Sequence, residues 1–174
     1  MGRGQDRLHI KERKIMSTRC RIGVEQSDGT IKSIYCHHDG YLDGVGLLLQ
    51  TKYDNLEKIN NLVELGDISS LGEEYDEEMS KKDWHRFDKD GKLTEEENEK
   101  LMHLTVAYKD RGDDCPARVD ANLWEFHQKA GDCGEEYVYL YHKNFRDEYE
   151  WEVMEIPYFQ NLKEKLEKLN KERV

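Results

Sequence analysis

A chain of 174 residues suits one domain with a single core, and its 36% hydrophobic against 37% charged residues predict that this core is small. The 10% aromatic content and only two prolines argue against a disordered chain, and a net charge of -11 disfavours nucleic acid or anionic membrane as partners of the bulk surface while favouring basic ones. No stretch approaches the roughly 20 apolar residues of a membrane helix and no apolar run of signal-peptide type opens the chain, so the expected location is cytoplasmic.

Residues 1 to 15 carry Arg3, Arg7, Lys11, Arg13 and Lys14 against Asp6 and Glu12, without apolar periodicity or interleaved aromatics. Lys11-Glu12-Arg13-Lys14-Ile15 can be encoded as a purine-rich ribosome-binding site just before the codon of Met16. The segment is therefore expected to be a translated leader outside the fold, with a basic arm for nucleic acid as the rival reading. Arg19 to Glu25 and Thr30 to His37 alternate around Gln26-Ser27-Asp28-Gly29, the pattern of a hairpin. With a loop of two or four residues, Cys20, Ile22, Val24, Ile31, Ser33 and Tyr35 share one face, and Arg19, Arg21, Lys32, Cys36 and His38 the other.

Gly40, Gly44 and Gly46 lead into an apolar run, Val45 to Leu49, that predicts a helix ending near Tyr53. Asp54, with Glu57 at the capping-box position, is expected to cap a second helix whose inner face is Leu56, Ile59, Leu62 and Val63, closed by Gly66. Residues 73 to 100 read as an acidic surface insertion with a helix at Thr94 to Met102. Leu104 to Tyr108 predicts a strand and Ala121 to Ala130 a helix stopped by Gly131. Tyr137 to His142 and Tyr149 to Met154 predict a second hairpin, where Glu148, Glu150 and Glu152 mark a wet face. Phe159, Leu162, Leu166 and Leu169 fall at helical spacing in a final helix, Tyr158 to Arg173. The expected fold is α+β: a mainly antiparallel sheet of two hairpins plus one strand, with helices packed on one face, in a single domain over residues 16 to 174.

Cys20, Cys36, Cys115 and Cys133 form no Cys-x-x-Cys pair and read as free thiols. Cys36-His37-His38 falls short of a zinc site because neighbouring strand residues point to opposite faces. Residues 86 to 97 superimpose on a calcium loop through Asp88, Asp90, Gly91 and Glu97, but Arg86 stands where the first carboxylate belongs, and a turn capped by Thr94 explains the same residues. The expectation is thus no metal and no cofactor. The loop Asp39 to Gly46 can offer backbone N–H groups to an anion at a helix start, so an anionic ligand is expected at Arg19, Arg21, His38, Gly40, Tyr41, Gly44 and Gly46. Arg111 is added as a possible clamp for a carboxylate or phosphate, against the default of pairing with a neighbouring Asp.

Ser17-Thr18-Arg19-Cys20-Arg21-Ile22-Gly23, the later stretch Asp28 to Tyr41 that ends His37-His38-Asp39-Gly40-Tyr41, and Gly66-Asp67-Ile68-Ser69-Ser70-Leu71-Gly72 together resemble a family of small, uncharacterised proteins encoded by phages and prophages. The resemblance implies a start at Met16 and a hairpin leading through the His-x-Asp-Gly-Tyr loop into helices. It also implies a phage origin, and with that origin the leading expectation is an accessory protein that binds, and inhibits, a host protein such as a defence nuclease. Glu73, Glu74, Asp76, Glu77, Glu78, Glu95, Glu96 and Glu97 supply the physical means, since carboxylates can imitate a phosphate backbone in a basic channel. Two alternatives stay open. One is capture of a nucleotide, with Tyr35, Tyr41 or Tyr108 stacking its base and Arg19 or Arg21 holding its phosphate. The other is a small enzyme using a generic pair such as His37 with Asp39.

Overall fold

The computed structural model describes residues 17–156; the expected leader and the helix expected at Tyr158 to Arg173 lie outside the described residues. Strands β1 (Cys20–Glu25) and β2 (Ile31–Cys36) pair antiparallel. The Gln26 N–H bonds to the Thr30 carbonyl at 2.8 Å, leaving Ser27, Asp28 and Gly29 in the turn, with Gly29 at φ +83. A turn of odd length reverses the parity expected for two or four residues. Cys20, Ile22 and Val24 therefore share their face with Lys32, Ile34 and Cys36, and Arg21 lies opposite Tyr35. Grouping Ile31, Ser33 and Tyr35 with the Cys20 face is corrected accordingly.

After β2, a π-helical turn at Leu42–Gly46 runs into α1 (Leu47–Lys52), and α2 (Leu56–Val63) follows. The cap of α2 is Asn55, which accepts the Lys58 N–H at 3.0 Å; Asp54, the expected cap, pairs with the Lys58 ammonium instead. Val45, Leu49, Ile59, Leu62 and Val63 close the main core over Cys20, Ile22, Ile34 and Cys36. The chain then adds β3 (Ile68–Ser70), β4 (Glu74–Tyr75), α3 (Glu77–His85), α4 (Glu95–Leu101) and β5 (Leu104–Ala107). It ends with β6 (Arg118–Asp120), α5 (Leu123–Gln128), β7 (Tyr137–Lys143) and β8 (Tyr149–Glu155).

The strand order is β4-β5-β3-β2-β1-β7-β8, with β6 pairing β2 off this path. The class is α+β, but the sheet is mixed: β1 with β7, β2 with β3 and β4 with β5 run parallel. Both expected hairpins form, while the expectation of a mainly antiparallel sheet is corrected, because the second hairpin joins the first in parallel. Helices also cover both faces. On the face opposite the main core, Phe126 of α5 packs with Ile31, Val138 and Leu140. Its ring lies 3.1 Å from where a Cβ on Gly23 would stand, so the absence of a side chain there seats the helix.

Residues 73 to 100 are built into the fold along one side. Met79 and Ser80 of α3 are buried; the Ser80 hydroxyl accepts the Ala107 N–H at 3.0 Å, and the Trp84 indole donates to the Ala107 carbonyl at 2.8 Å. Thr94 and Glu97 form the capping box of α4, as expected of that turn.

Candidate functional site

The glycine loop has little left to offer an anion. The N–H groups of Gly40, Gly44, Val45 and Gly46 are already donated to the carbonyls of Thr18, Tyr41, Asp39 and Tyr41. A Cβ on Gly40 would come within 2.8 Å of Cys20, and one on Gly44 would strike the Asp39 carbonyl. These glycines serve close packing, which corrects the assignment of Gly40, Gly44 and Gly46 as ligand donors. Tyr41 stays at the loop, its ring beside Gly44.

Arg21 is not an exposed cation either. It is 4% exposed, with Nε 2.7 Å from Glu135 Oε1 and secondary contacts to the Ser33 hydroxyl and the Cys133 sulfur. Glu135 also accepts the Cys133 N–H at 2.9 Å. Sequence alternation placed Arg21 on a wet face; the covering segment around Cys133 to Glu135, far away in the chain, buries it. Arg111 follows the default: it pairs with Asp113, and its guanidinium lies 4.4 Å from the Trp84 ring and 4.9 Å from that of Tyr108.

What the fold does assemble is a strip of half-buried aromatic and basic side chains on the Arg21 side of the sheet. The Tyr35 hydroxyl meets His37 Nδ1 at 2.7 Å, and the His37 and His38 rings sit edge to face at 4.5 Å. Burial is the main cause that lifts the Tyr35 hydroxyl to about 12, and burial followed by the positive charges of His38 and Arg19 lowers the His37 imidazole. Tyr108, stacked on Trp84 at 5.3 Å, is fixed beside them because its N–H bonds to the Asp67 carbonyl while Asp67 Oδ1 accepts the Tyr35 N–H at 2.7 Å. The tyrosines and Arg19 were candidates from sequence. His37 was weighed there as a zinc ligand and as a generic base, and the odd turn length, which brings Arg19 and Arg21 onto the face that His37 shares with Tyr35, is the signal that was missing.

Asp67 links the strip to the sheet, and burial raises its carboxyl above the ordinary range. A raised folded value means stability that is fully present at low pH and lost as pH rises through that value. Asp67→Asn, which keeps an acceptor for Tyr35, should match the native chain at acid pH and melt at a higher temperature than it towards neutrality. Parallel melting curves for the two proteins across this range would contradict that.

The acidic flank lies on β4, α3 and α4. Glu73 pairs with Lys52 at 2.6 Å, Asp76 with Lys100 at 2.8 Å, Glu77 with Lys81, and Glu97 with Lys82 at 2.7 Å. The Lys82 ammonium and the Thr94 N–H hold Glu97 down to about 2. Asp76 also caps α3 by accepting the Met79 N–H. Glu74, Glu78, Glu95 and Glu96 are exposed and make no ion pair among the described residues.

A shallow cleft of about 370 Å³ runs between Lys32, Glu64, Lys109 and residues 113 to 117, mixing both signs of charge. Among the described residues no group of three or more His, Cys, Asp or Glu is placed to hold a metal, and no helix is long and apolar enough to cross a membrane. No protein-family model, no curated protein and no solved structure matches this chain.

Proposed function

We propose that the protein works by binding, as a phage accessory protein whose acidic flank engages the basic surface of a host protein and inhibits it. The carrying observation is the form of that flank. Residues 73 to 100 hold twelve acidic and six basic residues, a net of -6 within a total of -11. They stand on helices pinned to the sheet through Ser80 and Trp84 and to each other through Lys82–Glu97 and Asp76–Lys100. A preorganised charge array steers a basic partner and holds it at low entropic cost. The resemblance of the first strands to phage-encoded proteins supports the origin.

The test separates steering carboxylates from structural ones. Reversing Glu74, Glu78, Glu95 and Glu96 to Lys leaves the cap and ion pairs of α3 and α4 in place, so the fold should hold. Recovery of the partner from host lysate should then fall about tenfold or more. Equal recovery by both proteins would remove this reading.

A second reading, capture of a nucleotide, is favoured by one observation: Tyr35 and Tyr108 are held together beside Arg19 and His37 on the strip. A ring between such partners gains stacking and its phosphate gains charge-assisted bonds.

A further inference from the structure

Arg19, His37 and His38 form a basic group that the fold does not neutralise. Arg21, Arg86, Arg111 and Arg118 each hold a carboxylate, whereas Arg19, like the exposed Arg146 at a hairpin tip, makes no ion pair among the described residues. Its Nε is enclosed without a hydrogen-bond partner, and so is His38 Nδ1. Enclosed polar atoms are almost always satisfied, so two orphans on residues flanking one imidazole mark a place for an external partner. His37 completes the group: its Nδ1 meets the Tyr35 hydroxyl, and the protonated imidazole, or the neutral tautomer in which Nδ1 accepts, presents Nε2–H as a donor.

We propose that Arg19, His37 and His38 bind an oxyanion, the phosphate group of a small phosphorylated molecule. A guanidinium and two imidazoles supply several donors and up to three charges, which suits a dianion with three free oxygens. The proposal rests on the second reading above and fixes where its charge sits. The groups acting on His37 are Tyr35 two residues before it in β2, His38 next in the chain and Arg19 just ahead of β1, and no carboxylate is among them. A bound dianion reverses the field at this imidazole, so binding takes up a proton there and tightens as pH falls towards about 6, below which the phosphate itself takes up a proton and the dianion is lost.

Inorganic phosphate and adenosine 5′-monophosphate are titrated separately into the full chain and followed by the imidazole and Arg19 Nε resonances. The expected result is that phosphate moves His37, His38 and Arg19, with affinity rising as pH falls towards about 6. Arg19→Gln should weaken binding about tenfold or more, with Arg19→Lys between the two. Tighter binding of the nucleotide than of phosphate at these resonances supports both the site and the nucleotide reading. Phosphate binding here with no gain from the nucleoside keeps the site and ends the nucleotide reading. Imidazoles unmoved by phosphate, or Arg19→Gln binding as well as the native chain, overturn the site, and nucleotide shifts confined to other residues overturn it while leaving the nucleotide reading intact.

Discussion

Glu135→Ala is expected to cost about 3 to 5 kcal/mol of folding stability, read as a lower urea midpoint. Arg21 and Glu135 are 4% and 3% exposed, and the carboxylate is the charge that answers the guanidinium. Taking it away leaves a buried cation hydrogen-bonded only to the Ser33 hydroxyl and the Cys133 sulfur, with the half-buried Asp67 carboxylate acting on it from further off. A domain of this size has about 5 to 15 kcal/mol in total, so a sizeable fraction of the variant should be unfolded in mild denaturant. The double change Arg21→Met with Glu135→Leu removes both charges and keeps the volume, and should recover most of the loss. A single-site cost below about 1 kcal/mol would mean that water reaches the pair and that the segment over it is loose.

Phe126→Ala comes next, at about 3 to 5 kcal/mol. The ring is fully buried among Ile31, Val138 and Leu140 over Gly23, whereas Leu123 and Trp124 of the same short helix are exposed and cannot replace it. Amides of α5 should then exchange early, ahead of those in β1 and β2. Retained protection in α5 would show that the helix is held by its ion pairs, Lys129 with Asp120 and Glu125, and not by the ring.

The hairpins, the Thr94 cap and the helices over the main core were legible in the sequence because each is signalled within a few residues. Whatever depended on distant residues was not. Strands β3 and β6 have three residues each, too few for an alternation to register. The parallel union of β1 with β7 joins segments more than a hundred residues apart, and the hydrogen bonds of a parallel pair leave no local pattern. One residue in the first turn decided which side chains meet: Gln26 pairing with Thr30 puts His37 and Tyr35 beside Arg19 and Arg21. The anion site at the glycine loop failed on contacts of the same kind, since the Arg21 guanidinium is held by Glu135 and the N–H groups of the loop are spent on nearby carbonyls. Of the acidic candidates, charge alone marked all eight, but only contacts separate Asp76, which caps α3, from Glu74, Glu78, Glu95 and Glu96, which face solvent.

The binding account is tested most directly by the association rate of the recovered host partner, measured by stopped flow at rising ionic strength. Steering by exposed carboxylates predicts a fast rate at low salt that falls steeply as the charges are screened, over about 10 Å at 0.1 M salt. It also predicts that the chain with Glu74, Glu78, Glu95 and Glu96 changed to Lys is slow and gains rate as salt rises. A native rate that does not respond to salt would contradict it.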